Sequence, residues 1–365
     1  MIENQNTRSG DYAKTADLLR PGHADYTAYA KYHGYQDARG GGHFSGRVTA
    51  ALVAGGALVL GALNRAGIEI VTHIGRCAGI SDAPFALDDP AALAAQAEAL
   101  LNKSEGFALL DGSVEEPMKA AIRAAGAEGD SVGGVIRCTV SGLPAGLGGP
   151  DWRDTVEGTI ARHVFAIPAV KAIGFGAGVT FAQMRGSAAN DPFTMVHGAV
   201  RTVSNHSGGV NAGVTNGMDV VFDVTFRPTP SIAKEQRTVD LTTMTETTIS
   251  VPGRHDACIA LRAAPAVESA AALAVCQLLP DTPADLDGLR CRLDETDAAI
   301  LELFDRRQRL SAAIGAYKSA HGLPVRDKAR EAEVLRTRGD MLPERRDQAE
   351  RLMTLLMALS REEQA

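Results

Sequence analysis

Along the first three-quarters of the chain, apolar positions come in short runs separated by glycine. Gly133–Val140 (GGVIRCTV), Ala172–Val179 and Asp219–Phe226 (DVVFDVTF) have the length and composition of strands, and Thr238–Val251 alternates like an exposed strand or hairpin. Pro90–Leu101 and Met118–Ala127 read as helices, and Pro265–Leu279 is a small-residue helix suited to close packing on a sheet. The pattern changes at LPDTPADLD, where Pro280, Pro283 and the cap residue Thr282 mark a linker over residues 280–284. Beyond it, Leu289, Leu293, Ile300, Leu303, Phe304, Leu310 and Ile314 recur at three- and four-residue steps. They predict an amphipathic helix of about eight turns. Such a helix needs a partner surface, most simply a second copy of itself. Gly322 and Pro324 end it, a second helix begins near Asp327, and a third runs from Pro343 to Gln364. The chain therefore reads as an α+β unit over residues 1–279 followed by an all-α three-helix unit over residues 285–365.

Composition gives that division chemical content. Four of the 38 glycines fall from Asp285 onward, while the same 81 residues carry 15 of the 37 Lys/Arg and 16 of the 44 Asp/Glu. The net charge of −7 comes with no basic stripe, which argues against nucleic acid as a partner. The one long apolar run, TAALVAGGALVLGAL (Thr49–Leu63), is too short and too Gly-rich for a membrane span. Five scattered cysteines without CxxC or histidine-linked spacing predict reduced thiols in a cytoplasmic protein and no metal site. The polar start MIENQNTRSGDY has no signal-peptide character.

Two cations stand out in the helical unit. Arg307 and Lys318 are eleven residues apart, so they point within about 20° of one direction, on the stripe of Phe304 and Ile314. Taken alone they could snorkel to water or pair with glutamates; taken functionally they form an anion pocket inside a helical bundle. The spacing of Leu289–Arg290, Arg306–Arg307, Lys318, Val325–Asp327, Arg330–Glu331 and Ser360/Gln364 resembles the all-α chorismate mutase family over essentially all of 285–365. Chorismate is a dicarboxylate and its rearrangement to prephenate needs no nucleophile, only a compacted conformer and stabilised charge at the ether oxygen. The resemblance implies that Arg307 and Arg290 hold carboxylates, with Arg290 reaching into a partner subunit's site. It implies that Lys318 and Gln364 donate to the ether oxygen, that Glu331 and the backbone at Asp327 take the hydroxyl, and that Arg330 and Ser360 complete the carboxylate shell.

The glycine-rich section carries a second resemblance. RPGHADYT (Arg20–Thr27), KYHGYQDARGGGHFSGRVTA (Lys31–Ala50), GLPAGLG (Gly142–Gly148), IPAVKAIGFGAG (Ile167–Gly178), SNHSGGVNAGVTNGMD (Ser204–Asp219), RPTPSI (Arg227–Ile232) and GRHDACIALRAAP (Gly253–Pro265) follow in the order of chorismate synthase. That family removes phosphate and a proton from 5-enolpyruvylshikimate 3-phosphate, using reduced FMN that is not consumed overall. The resemblance implies a β-α-β sandwich core, with His23 as a proton donor and Asp256 moving the proton at the flavin. FMN contacts are implied for Ser45, Pro168, Ala169, Ala212, the run Arg227, Pro228, Thr229, Pro230 and Ser231, and Arg254. Arg47 is implied for substrate, and NADPH is a candidate reductant. Without the family, His23 would rank as a loop or core histidine and Asp256 as a turn residue.

Departures matter too. HFSGRVT replaces the family's usual loop, so His43 becomes a candidate phosphate or flavin contact, and Ala212 stands where glycine usually approaches the flavin. The family's opening strand and its GESHG histidine are not found, which leads to the expectation of mutase activity with weak synthase turnover. The leading expectation is a fused chorismate synthase and chorismate mutase, with small-molecule substrates and homo-oligomers (a mutase dimer and a synthase tetramer). The rival is a mutase carrying a non-catalytic synthase-like module that oligomerises or binds an effector.

Overall fold

The computed structural model describes residues 17–364 apart from 38, 87–89, 104–105, 197, 252, 254–255 and 280–285. The chain forms two compact units, Met1–Pro280 and Asp281–Ala365. The strands of the first are β1 (Glu69–Cys77), β2 (Ile80–Ser81), β3 (Gly134–Ser141), β4 (Val170–Phe175), the pairs β5–β6 (Phe193–Val196, Ala199–Thr202) and β7–β8 (Val210–Asn211, Val214–Thr215), β9 (Val220–Phe226) and β10–β11 (Gln236–Asp240, Thr245–Ile249). Its helices are α1 (Asp25–Tyr32), α2 (Thr49–Arg65), α3 (Pro90–Leu101), α4 (Glu115–Ala127), α5 (Val156–Val164), α6 (Gly186–Ala189) and α7 (Ala264–Leu278).

A five-stranded antiparallel sheet in the order β2-β1-β3-β9-β4 is the centre of this unit. Its period-2 pattern sorts the side chains. Ile136, Cys138 and Val140 on β3 pair in register with Val224, Phe222 and Val220 on β9, and all are fully buried. Across from them lies α7, whose buried face is mostly alanine, so the helix axis sits close to its neighbours. The approach of α2 is closer still: a Cβ on Gly56 would stand 2.2 Å from Ser269 Cβ, so only glycine fits. The opposite face of the sheet is polar in places. Arg137 grips Asp223 bidentately at 2.7 Å, and His73, fully buried, lies 2.8 Å from Asp82 with Phe85 against its ring.

Two expectations change here. The strand expected over Ala172–Val179 ends at Phe175, because Gly176 and Gly178 turn the chain at φ +54° and +55°. The apolar run joins the turn Gly46–Val48 to form a 20-residue helical stretch, Gly46–Arg65, of mean hydropathy 1.7. By length and composition that stretch could span a membrane, contrary to the expectation from the run alone. Its glycine instead serves the packing of α2 on α7.

The second unit is three helices: α8 (Leu286–Ala320), α9 (Lys328–Gly339, capped by the Asp327 carboxylate) and α10 (Arg346–Gln364). Both α8 and α9 pack on α10. The face of α8 turned inward is Phe304, Arg307, Gln308, Ser311, Gly315 and Lys318. Ile314, expected to be buried with the two cations, is half exposed, as are Leu310 and Ile300. Ile314 and Leu310 stand about 20° and 60° to one side of Arg307, and the buried Ser311 and Gly315 about 40° and 80° to the other, so the cations sit on the border between the exposed and inward faces.

Candidate active sites

In the first unit the segment RPGHAD folds into a tight polar knot. Asp25 starts α1, and its carboxylate accepts from the Arg20 amide (2.9 Å), Nε (2.8 Å) and Nη2 (2.7 Å). His23 Nδ1 lies 2.6 Å from Asp25 Oδ1 and 3.0 Å from Arg20 Nη2. Both contacts cannot be hydrogen bonds, since a guanidinium only donates. The shorter one, Nδ1–H to carboxylate, decides the tautomer and leaves Nε2 for proton chemistry. Burial pushes the Asp25 carboxyl up, but the hydrogen bonds and charges of Arg20 and His23 outweigh it and hold Asp25 far below the usual carboxylate range.

This knot meets the RPTPS segment. Arg227 Nη1 donates to the Gly22 carbonyl, and a Cβ on Gly22 would collide with that guanidinium; Gly22 also sits at φ +73°. Arg20 Nη1 donates to the buried Ser231 hydroxyl at 3.3 Å. The Arg227 amide donates to the Ala169 carbonyl at 3.0 Å, and Ala169, just after Pro168, holds the strained φ of +72°. Thr229 Oγ1 donates to the Asp256 carbonyl at 2.7 Å, and the Asp256 carboxylate pairs with Arg262 at 3.2 Å. Pro228 and Pro230 fix the backbone between these anchors. Hydrogen bonds thus link the Arg20–Asp25–His23 knot to Ser231 through Arg20 and to Arg227 through Gly22, and the Arg227–Ser231 segment in turn to Ala169 and Asp256. Ser45 accepts from the Arg47 amide at 3.3 Å and caps the turn Gly46–Val48. A Cβ on Gly46 would stand 3.7 Å from Ile259, which places this loop against the turn that follows Asp256. Arg47 and His43 are exposed.

Not every expected residue joins this group. Ala212 occupies the turn between β7 and β8 at φ +50°, beside Gly149 and the start of α5. Arg254 and the side chain of Gln364 lie outside the described residues. Arg20 and Asp25 were not singled out from the sequence, although their closeness to His23 within one motif was the available signal.

In the second unit Arg307 Nη1 donates to the Leu356 carbonyl (2.8 Å) and to Ser360 Oγ, which Ser311 Oγ also reaches at 3.0 Å. Burial pulls the Arg307 pKa below its ordinary value. Lys318 Nζ donates to the Val325 carbonyl at 2.6 Å, which draws the α8–α9 loop over the same end of the bundle. Asp327 accepts from the Arg330 amide at 3.0 Å, while the Arg330 guanidinium turns outward to Glu333. Glu331 receives Arg361 at 2.6 Å and Arg326 at 3.3 Å. Burial raises the Glu331 carboxyl, and these two guanidiniums outweigh that and hold it low. Arg361 carried no sequence signal, since it comes from a helix thirty residues away. Arg290 is exposed near the start of α8.

The fold and these groups define an α+β domain with a cluster of cations and hydroxyls, joined to a helical bundle whose inner face carries Arg307 and Lys318. The family model for chorismate synthase matches residues 1–279, and that for chorismate mutase type II matches residues 289–365. Chorismate synthase of Dehalococcoides mccartyi is 41% identical over 279 residues, covering 76% of this chain and 74% of the relative. That of Thermococcus kodakarensis is 42% identical over 275 residues, covering 75% and 74%. A crystal structure of chorismate synthase superimposes with a TM-score of 0.59 at 23% identity, covering 75% of both chains. The chain belongs to the chorismate synthase family and carries a chorismate mutase type II domain after it. It is a bifunctional shikimate-pathway enzyme acting on small molecules.

Proposed function

We propose that the first unit eliminates phosphate from 5-enolpyruvylshikimate 3-phosphate at the cluster around His23, and that the second unit rearranges the resulting chorismate at Arg307 and Lys318. The observation that carries this reading is the Arg20–Asp25–His23 knot bonded directly to Arg227–Ser231, whose neighbour is Asp256. Its donor set suits FMN: guanidiniums and hydroxyls match a flavin phosphate, and Gly22 leaves the space in which the Arg227 guanidinium is held among them. Arg227, Thr229, Ser231, Ser45, Pro168 and Ala169 would hold the cofactor, joined by Arg254. Reduced FMN, when bound, supplies electron density transiently and is recovered unchanged. His23 presents Nε2 as the atom that takes up and then delivers a proton, Asp25 fixes its orientation through Nδ1–H, and Asp256 accepts or returns a proton nearby. Arg47 offers a cation to the substrate's phosphate or carboxylates.

In the second unit Arg307 would bind a carboxylate and order Ser360, and Lys318 would donate to the ether oxygen, a role the family resemblance also gives to Gln364. Arg330, Glu331 and Asp327 close the pocket around the remaining carboxylate and hydroxyl. The exposed apolar stripe of α8 suits a second copy, from which Arg290 would enter the site; for the first unit a tetramer is proposed. The thiols among the described residues are unpaired, which suits a cytoplasmic setting. In anaerobic assays with reduced FMN, His23→Ala is expected to abolish phosphate release and leave chorismate-to-prephenate turnover intact. Equal loss of both activities would overturn the assignment.

A further inference from the structure

Two of the four thiols found free among the described residues face each other. Cys77, at the end of β1, and Cys258, 181 residues away, bring their sulfurs to 3.6 Å in the interior. Gly134 on β3 is the register partner of Cys77, and a Cβ there would stand 2.7 Å from the Ala260 Cβ, so the glycine lets the Cys258–Ala260 segment approach the strand. The sulfurs differ. The hydrogen bond between the two sulfurs, joined at Cys258 by the Ala260 and Leu261 amides, draws the Cys258 thiol down and pushes Cys77 up. Cys258 retains 4% exposure and Cys77 none, so a small reagent reaches Cys258 first. Cys138 and Cys276 serve as internal contrasts: burial drives the Cys138 thiol well up, and Cys276 is exposed.

We propose that Cys77 and Cys258 are an oxidisable dithiol site in which hydroperoxides close a disulfide beside the Asp256 segment. The Cys258 thiolate attacks the peroxide, the O–O bond breaks, and a sulfenic acid forms as hydroxide leaves. The Cys77 sulfur then attacks the sulfenic sulfur, and the departing hydroxide takes the Cys77 proton as water. Two thiols lose two electrons in total and hydrogen peroxide becomes two waters. Bond formation needs the sulfurs to close to about 2 Å, which pulls the backbone at Cys258 toward β1. Asp256 lies two residues earlier and its carbonyl is bonded to Thr229, so the strain falls on that segment. The consequence for synthase turnover rests on the function proposed above, whereas the chemistry of the pair does not.

The test treats the full chain with hydrogen peroxide at pH 7, alkylates the remaining thiols under denaturing quench, and maps peptides by mass spectrometry. A linked Cys77–Cys258 peptide is expected as the main disulfide product, because the two sulfurs already stand 3.6 Å apart, and it is expected to be reversed by dithiothreitol. In Cys77→Ser, Cys258 is expected to stop at a dimedone-trappable sulfenic acid. Alkylated, intact Cys77 and Cys258 after Cys276 has oxidised would overturn the proposal, as would irreversible oxidation of Cys258 without a linked peptide. Oxidised chain is expected to lose phosphate release and keep prephenate formation; equal loss of both would refute an action confined to the first unit.

Discussion

The two units solve the burial problem in opposite ways. The first buries Phe222, Val224, Ile136 and Ile160 completely between its sheet and helices, and its polar knot sits at the margin. The second buries Ser311 and Ser360 and half-buries Arg307 inside its helices, while Leu293, Leu303, Leu310 and Ile314 remain 50–64% exposed. A sheet covered by an alanine-faced helix can complete its core from one chain. A long helix with a polar inner stripe cannot, because its apolar stripe is left facing outward. The second unit therefore keeps its polar groups on the inside and leaves its apolar stripe exposed, the surface proposed above for a second copy.

The largest effect that could break this contrast is in the core. Phe222→Ala should destabilise the first unit by about 3–5 kcal/mol, read by chemical denaturation, while Leu310→Ala in diluted protein should cost the second unit under ~1 kcal/mol. Similar costs would mean that the exposed stripe is already packed. Next, Arg307→Ala should slow prephenate formation by about 10²–10³-fold with phosphate release unchanged in steady-state assays. Leu310→Asp should weaken self-association of the second unit by at least ~10-fold, seen as a monomer shift in light scattering and a concentration-dependent loss of mutase rate.

Two smaller effects concern the polar knot. Asp25 has a folded pKa depressed below its unfolded value, so its contribution is present above the ordinary carboxylate value of about 4 and is lost as pH falls toward the folded value. Asp25→Asn should accordingly flatten the acid limb of the first unit's stability profile, measured by thermal melts from pH 6 to pH 3. A steeper acid limb would contradict the pairing with Arg20. Ala169→Gly should relieve the positive φ and raise stability by less than ~1 kcal/mol, with FMN affinity measured by fluorescence to check that the Arg227 anchor is kept.

Some of this was legible in the sequence and some was not, for physical reasons. β3 and β9 alternate in residue type over Ile136–Ser141 and Phe222–Phe226, because there one face meets the apolar core and the other carries polar residues such as Arg137 and Asp223. β1 gave no such signal: Ile70 to Ile74 are all buried, since α7 covers one face and the α3 layer the other, so period 2 disappears. The three helices of the second unit were readable from spacing, but which stripe faced inward was not, because apolar residues normally face inward and here a polar stripe does. At the first site the motif RPGHADYT placed Arg20, His23 and Asp25 within one turn. The Arg361–Glu331 contact joins two helices, and nothing local encodes it.

Two active units in one chain have a direct signature: 5-enolpyruvylshikimate 3-phosphate and reduced FMN supplied anaerobically to the purified full chain, with phosphate and prephenate followed together. Phosphate release followed by prephenate, with Arg307→Ala stopping the sequence at chorismate, is the expected result. Conversion of added chorismate to prephenate with no phosphate release from 5-enolpyruvylshikimate 3-phosphate, the weak-turnover outcome expected from the sequence departures, would contradict it.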